Sequence, residues 1–171
     1  MSRRARLTVA GGVALASLIG IAVISVGFLS RGHSRAALPL YYLDRDAVAP
    51  FRGYRETKID FGGSCLRVAV ADTATLRQRG LRGHGDLRPY AGMLFVSSDD
   101  SDVAFTMAGL SVPLDIRWYT GGGAFLQRAA MAPCPDRAAA HCPKYTSRRP
   151  YRFALETPRG APAPGALSPC T

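Results

Sequence analysis

The stretch Tyr90–Tyr119, YAGMLFVSSDDSDVAFTMAGLSVPLDIRWY, contains the patterns that decide the fold. Met93–Val96 is a continuous apolar run opened by Gly92, which is typical of a strand buried on both faces. Ser97–Asp102 contains only Ser and Asp, which favour turns because their side chains bond the local backbone. Val103–Met107 follows as a second apolar segment. This part of the stretch therefore predicts two strands separated by an acidic turn.

The end of the stretch predicts a third strand, which Pro113 opens. In Leu114–Tyr119 the side chains alternate between two chemical classes. One face carries Leu114, Ile116 and Trp118, and the other carries Asp115, Arg117 and Tyr119. A period of two residues is typical of a half-buried strand. We expect the core of the domain on the Trp118 face.

The remaining elements are short and are separated by turn signals. Thr57–Phe61 and Leu66–Val70 flank Gly62-Gly63 and predict a hairpin in which Arg67 faces water. Either Asp72 or Thr73 can cap a short helix that runs to Leu81.

Two more strands follow the Tyr90–Tyr119 stretch. They are predicted near Ala124–Met131 and in Tyr151–Glu156, where Glu156 alternates away from Tyr151, Phe153 and Leu155. A Pro- and Cys-bearing loop, Pro133–Arg149, separates them. With six or seven strands and one helix, the expected fold is mainly β: an antiparallel sandwich or a partly closed barrel.

Several short motifs together carry a family resemblance. They are A-D-T and R-G-L upstream, then GMLFV, F-x-M and PLDI in the central stretch. In this order they resemble the domain of unknown function 192 family over Lys58–Pro158, which implies a small β domain of extracytoplasmic type. The chain departs from the family pattern at four positions: Arg82 replaces Met, Thr106 an aromatic residue, and Ala108 and Gly109 a Lys-Asn pair. If those positions line a family site, this chain lacks part of it.

The amino-terminal region predicts a membrane anchor. Leu7–Leu29 contains no charged residue and would span about 34 Å as a helix, against roughly 30 Å of bilayer hydrocarbon. A cleaved signal peptide is the alternative, but its apolar region is only about 7–15 residues long. More positive charge precedes the run than follows it, which places the amino terminus in the cytoplasm and the remainder outside. Gly12, Ala16 and Gly20 could form a dimer face in the membrane.

These features give a four-part organisation. Residues 1–30 form the cytoplasmic tip and the anchor, 31–56 a stalk, 57–158 the β domain and 159–171 an irregular tail.

The charge of the chain bears on its partners. Five of the 22 basic residues lie at or before Arg35 and all 12 acidic residues lie beyond it, so the formal charge of +10 falls to +5 outside the anchor. This density is too low to predict nucleic-acid binding. An anionic lipid or wall surface, or an envelope protein, is the expected partner.

The four cysteines are candidates for disulfide bonds, because an even number of cysteines in a domain outside the cytoplasm is typical of disulfide-bonded proteins. Cys134 and Cys142 bracket a short loop, where the resembling family often has a Cys pair, and Cys65 and Cys170 could form a second bridge. Metal binding through Cys134, His141 and Cys142 is the alternative, although adjacent His and Cys are awkward ligands and no metal is expected.

No nucleophile motif and no cofactor motif is present in the sequence, so no cofactor is expected. The candidate ligand-binding residues are Asp115, Met107, Arg77 and Arg82. Asp115 could contact a ligand or could accept hydrogen bonds from a loop, and the arginines could hold an anion or form a solvated helix face.

Two functions follow from these features. The first is a non-enzymatic binding or accessory module of the cell envelope. The second is a hydrolase-like envelope enzyme with a site near Asp115 and His84.

Overall fold

A computed structural model of the chain describes residues 45–170. The predicted anchor Leu7–Leu29, its dimer face Gly12, Ala16 and Gly20, and most of the predicted stalk lie outside the described residues. Among residues 45–170, no helix is long and apolar enough to cross a membrane.

The described part of the chain is mainly β, as predicted. It contains one short α-helix, α1 (Ala74–Arg79), and a single 3-10 turn, Ala139–His141. The nine strands are β1 (Arg45–Asp46), β2 (Arg55–Asp60), β3 (Cys65–Ala71), β4 (Gly92–Ser101), β5 (Phe105–Thr106), β6 (Leu114–Tyr119), β7 (Phe125–Met131), β8 (Lys144–Tyr145) and β9 (Tyr151–Pro158).

Seven strands form one open sheet in the order β1-β2-β3-β4-β9-β6-β7, and β5 pairs with β8 in a separate ribbon. All neighbours are antiparallel except β3 and β4, which are parallel and are joined through α1. The expected all-antiparallel sandwich or partly closed barrel is therefore wrong in detail, since the sheet is mixed and its two edges do not meet. A parallel pair needs a crossover, and α1 supplies it.

The local elements follow from capping and turn chemistry. The β2–β3 hairpin turns through Gly62 and Gly63, whose φ values of 71° and 93° suit residues without a side chain. Thr73 is the residue that caps α1, because its Oγ1 accepts a hydrogen bond from the Leu76 amide at 3.2 Å. The helix ends at Arg79, two residues before the predicted end at Leu81, and Gly80 caps it.

Two predictions in the central stretch are wrong. Ser97–Asp102 does not form a turn, because β4 continues through it to Ser101, although the pairing with β9 shifts between Val96 and Ser101. The second predicted strand, Val103–Met107, shrinks to the two residues of β5. The Ser and Asp side chains lie on an irregular and mostly exposed part of β4, which explains their turn-like composition.

The sheet is covered on both faces. The larger cluster lies on the predicted Trp118 face and includes Met93, Phe95, Leu114, Ile116, Trp118 and Ala154. The opposite face has its own cluster, which includes Val68, Val70, Leu94, Tyr119, Phe153 and Leu155. A sheet covered on both faces buries its central strands on both sides, so the first half of β4 and most of β9 are continuous buried segments.

The folded unit is longer than residues 57–158. Part of the predicted stalk belongs to it, because β1 pairs with β2 and Phe51 and Tyr54 are buried. The carboxyl-terminal tail, although irregular as predicted, packs over the second core face. Pro164 O accepts a hydrogen bond from the Tyr119 hydroxyl at 2.8 Å, and the Leu167 amide donates to Gly123 O at 2.8 Å.

Arg67, which was predicted to face water, does so only in part, with 32% of its side chain exposed. Its Nη2 contacts Glu56 Oε2, and its guanidinium lies 5.0 Å from the Tyr90 ring centroid. The Tyr90 hydroxyl donates to the same Glu56 oxygen at 2.7 Å. Burial alone would raise the pKa of Glu56, but the bonds from Arg67 and Tyr90 outweigh it and leave the pKa lowered. This cluster ties Tyr90, in the segment before β4, to strands β2 and β3.

Candidate functional site

A cavity of about 530 Å³ opens between the end of α1 and the outer half of β4. Its third side is the segment Val103–Thr106, which leads into and includes β5. The helix that lines the cavity is the one that joins the parallel strands β3 and β4. A volume of this size is in the range of small-molecule sites. We call it the α1–β4 cavity.

Aromatic side chains form the wall of the α1–β4 cavity. Phe95 and Phe105 pack edge to face with centroids 5.1 Å apart, and Phe105 lies 6.0 Å from the ring of Tyr151. Leu81 and Leu110 complete the apolar lining. An apolar ligand body would find its contacts on this wall.

Glu156 is the unusual group of the cavity. The sheet register places it between Met93 on β4 and Ile116 on β6, and both neighbours are fully buried. Glu156 itself is only 4% exposed. Burial raises its pKa from 4.5 to about 8, so the carboxyl is largely protonated at neutral pH.

The Glu156 carboxyl has no hydrogen-bond partner and no ion pair among residues 45–170. Buried polar groups are almost always hydrogen-bonded. A neutral carboxyl offers one O–H donor and an acceptor oxygen. Glu156 lines the cavity, so its donor and acceptor are available to a group bound there.

Basic side chains line the α1 side of the cavity. Arg77 is partly used by the fold, since its Nη1 donates to Asp72 O and Val96 O, each at 2.8 Å. Arg82 donates through Nε to Ala108 O at 3.2 Å, and its two terminal nitrogens have no hydrogen-bond partner within the described part of the chain. On the β4 side, Asp100 is already paired with Arg152. The α1 side is therefore the one that can receive an anionic group.

Two of the four departures from the family pattern lie at this cavity. Arg82 and Thr106 both line it. A third, Ala108, provides the backbone oxygen that positions Arg82. Three of the four differences between this chain and the family pattern therefore lie at or beside this cavity.

The structure separates the four residues that the sequence singled out for ligand binding. Arg77 and Arg82 line the cavity, whereas Met107 is 0% exposed and belongs to the core. Asp115 lies at the end of β6 that faces the tail. Its Oδ2 accepts from the Gly160 amide at 3.0 Å, and its Oδ1 lies 3.1 Å from Arg159 Nε. These contacts support the structural role of Asp115, as an anchor for the turn after β9.

His84 and Asp115 do not line the α1–β4 cavity of the described chain. The His84 ring packs against Phe51 with centroids 4.6 Å apart, and burial followed by the nearby Arg79 lowers its pKa. Asp86, its neighbour in sequence, is bonded instead to Arg88, which lowers the pKa of Asp86 to about 2. No recorded contact couples His84 to a carboxylate in residues 45–170.

All four cysteines are paired. Cys134 is bonded to Cys142 and Cys65 to Cys170, so both bridges considered from the sequence are present. The first bridge uses both thiols that the alternative metal site would have required. His141 instead bonds Asp136 through Nδ1 at 2.8 Å.

Sequence reasoning missed Glu156, because the alternation of β9 placed it on the solvent face. Alternation identifies a solvent face only where one side of a strand is uncovered. The available signal was Ala154, a small apolar residue on the same face, in a strand with few charges.

The comparisons with known proteins concern the family and the fold. A family model, domain of unknown function 192, described as an uncharacterised ACR, matches residues 57–168. No curated protein matches the chain.

Two solved structures have the same fold. One is a protein of unknown function from Novosphingobium aromaticivorans DSM 12444, with a TM-score of 0.55 and 21% identity over 71% of this chain and 86% of that one. The other, a proposed transcription regulator from Sinorhizobium meliloti 1021, has a TM-score of 0.51 and 22% identity over 61% of this chain and 80% of that one. The family model covers more than half of the sequence, and the chain therefore belongs to the domain of unknown function 192 family.

Proposed function

We propose that this protein is a membrane-anchored, extracytoplasmic and non-enzymatic binding module whose ligand occupies the α1–β4 cavity. The uncharged run Leu7–Leu29 and its flanking arginines support the anchor and its orientation. The two disulfides support an oxidising compartment, because such bridges persist mainly outside the cytoplasm.

The observation that carries the ligand site is the buried Glu156 carboxyl, which lacks a partner at the base of an aromatic cavity. Its neutral form would donate a hydrogen bond to an acceptor atom at the inner end of the ligand. The wall of Phe95 and Phe105 would contact an apolar or aromatic body. The free nitrogens of Arg82 would bind an anionic group at the outer end. The ligand class is thus a small amphiphilic anion.

An enzyme is the second candidate, and Glu156 is the reason to keep it. A carboxyl with a pKa near neutrality in a cavity is suited to general acid chemistry. It would replace His84 and Asp115 as the group to test. Binding ranks first because no base or nucleophile is hydrogen-bonded to Glu156 in the described residues.

The partners remain proposals of the same kind. An envelope protein or an anionic wall or lipid surface would meet the outward-facing domain, and Gly12, Ala16 and Gly20 would let two anchors associate. Protease added to intact spheroplasts tests the orientation. It should remove the domain, and digestion only after lysis would show the opposite orientation.

The ligand site is tested with 6-hydroxy-2-naphthoate, which has an aromatic body, a carboxylate at one end and a hydroxyl acceptor at the other. Calorimetric melting of the full chain should show a higher Tm with the probe. At 100 times Kd the added stability is about 2.7 kcal/mol, which corresponds to roughly 5–10 °C.

Matched variants locate the bound probe. Thr106→Phe fills the cavity and should abolish the Tm rise, and Arg82→Met should reduce it. Arg52→Gln removes an exposed arginine outside the cavity lining and should leave the rise unchanged. An equal rise in all four proteins would mean that the probe binds elsewhere, and no rise in the wild type would remove support for the site.

A further inference from the structure

A second basic site lies at the edge of the sheet, on β7. A groove of about 630 Å³ is lined by the first four residues of β7 and by the segment before β9, through Phe125, Leu126, Gln127, Arg128, Ser147, Arg148 and Arg149. The α1–β4 cavity shares none of these residues. We call it the β7 groove.

The side chain of Gln127 fixes the two walls of the β7 groove. Its Nε2 donates to Thr146 O at 2.9 Å, and its Oε1 accepts from the Arg148 amide at 2.9 Å. The segment that carries Arg148 and Arg149 is thus held beside β7 by a bidentate clamp. The backbone positions of Arg148 and Arg149 are therefore fixed before any ligand binds.

The groove has an uncompensated positive charge. Arg128 on β7 stands directly opposite Arg117 on β6, and like charges in this register destabilise a sheet. Within residues 45–170, no carboxylate lies within ion-pair distance of Arg117, Arg128, Arg148 or Arg149. The five recorded ion pairs of the described chain all lie elsewhere. An anion bound at the groove would relieve this repulsion.

The groove also presents an apolar group. Phe125 is 43% exposed and is one of only four large apolar side chains that the described chain exposes. A soluble phosphate would make no use of an exposed ring. A bilayer surface would contact both features, because phosphates meet guanidinium groups in bidentate fashion and aromatic rings enter the headgroup boundary.

We propose that the β7 groove docks the domain on anionic phospholipid headgroups, with Arg128, Arg148 and Arg149 contacting phosphates and Phe125 entering the interface. The proposal rests on the membrane location proposed above but not on the cavity. It identifies four side chains that would bind the anionic partner. Each arginine near an anionic surface strengthens binding by about fivefold.

The test uses the full chain with Phe125→Trp, reconstituted into phosphatidylcholine vesicles with or without phosphatidylglycerol. Some of the lipids carry brominated acyl chains, which quench a nearby Trp. The parent chain, whose single Trp118 is fully buried, gives the background. We expect quenching with phosphatidylglycerol and its loss at high salt. Absence of quenching, or equal quenching in phosphatidylcholine alone, would overturn the proposal.

Two triple variants of the same net charge decide whether the groove is responsible. Arg128→Gln with Arg148→Gln and Arg149→Gln should lower the ratio of docked to free domain by about a hundredfold. Arg52→Gln with Lys58→Gln and Arg137→Gln removes three exposed cations elsewhere and should change the ratio much less. If the two triple variants lowered the ratio equally, docking would depend on net charge alone and the assignment to the β7 groove would be overturned. Displacement by dilute inorganic phosphate would assign the groove to a soluble anion and overturn the lipid docking.

The cavity variants Thr106→Phe and Arg82→Met should leave docking unchanged, so the two proposals can fail separately.

Discussion

Replacing Glu156 by Gln should remove a pH dependence of stability that the wild-type domain carries. Glutamine has nearly the same shape and keeps a donor and an acceptor, but it cannot ionise. In the folded wild type the carboxyl holds its proton up to a pKa of about 8, whereas in the unfolded chain it loses the proton near 4.5. The substitution therefore isolates the cost of ionising one buried group.

The sign and the size follow from proton linkage. Between pH 4.5 and 8 the folded state binds one more proton at Glu156 than the unfolded state, so the free energy of unfolding falls as pH rises. The slope is about 1.4 kcal/mol per pH unit. From pH 5 to pH 8 the wild type should lose about 4 kcal/mol relative to Glu156→Gln.

Denaturant unfolding of both proteins at pH 5, 6, 7 and 8 measures this difference. His84 acts in the opposite sense, because its lowered pKa makes stability rise with pH, but it is present in both proteins and cancels in the comparison. The same pair should also separate in ligand affinity: the wild type should bind 6-hydroxy-2-naphthoate less tightly above pH 8, and the variant should not. Parallel stability curves would refute the reasoning, since they would show that Glu156 ionises at its ordinary pKa in the folded protein.

Three further predictions concern other parts of the fold. Asp115→Asn should cost about 1–3 kcal/mol by weakening the contacts to the turn after β9, without changing the Tm rise with the probe; an unchanged Tm with lost probe binding would restore its role as a ligand contact. Mass mapping of a non-reduced digest should give both disulfides. Replacing both cysteines of a bridge with Ser should lower the free energy of unfolding by about 5 kcal/mol for Cys65–Cys170 and by about 2.5 kcal/mol for Cys134–Cys142. A larger effect for the short loop would contradict the chain-entropy model. Gly92→Ala should fail to fold or should lose more than about 3 kcal/mol, because the new Cβ would lie 2.1 Å from Glu156 O, whereas Gly85→Ala meets open space and serves as the control in the same expression and melting assay.

The sequence predicted the elements whose signals are local. The strand Leu114–Tyr119 and a cap at Asp72 or Thr73 depend on neighbours within one turn or one strand. The structure confirms the strand and selects Thr73 as the cap, but Tyr119, predicted on the face away from the core, is fully buried. The parallel pairing of β3 with β4 could not be predicted in this way, because pairing joins residues far apart in the chain. The same reason explains the wrong sheet architecture.

The candidate site was predicted only on its basic side. Arg77 and Arg82 stand out in the sequence as charges on and beside a short helix. Glu156 does not, because its burial results from the register of its two neighbouring strands on the Trp118 face, which no single segment reveals. Met107 shows the converse: its place in the F-x-M motif and near Asp115 predicts a ligand contact, whereas packing buries it in the core.

The tail after β9 is the last part of the domain to be synthesised, and this affects how the chain folds. Residues of the sheet are synthesised first, and the segment that covers Tyr119 and the second core face is synthesised after them. Until that segment arrives, a broad apolar surface stays open to water and to other unfinished chains. The close approach of the tail requires glycine at position 123, because Leu167 O lies 2.5 Å from where a Cβ would be and φ is +80°. We therefore expect fragments that stop at Pro158 to require a chaperone or to aggregate, even though every strand of the sheet is present in them.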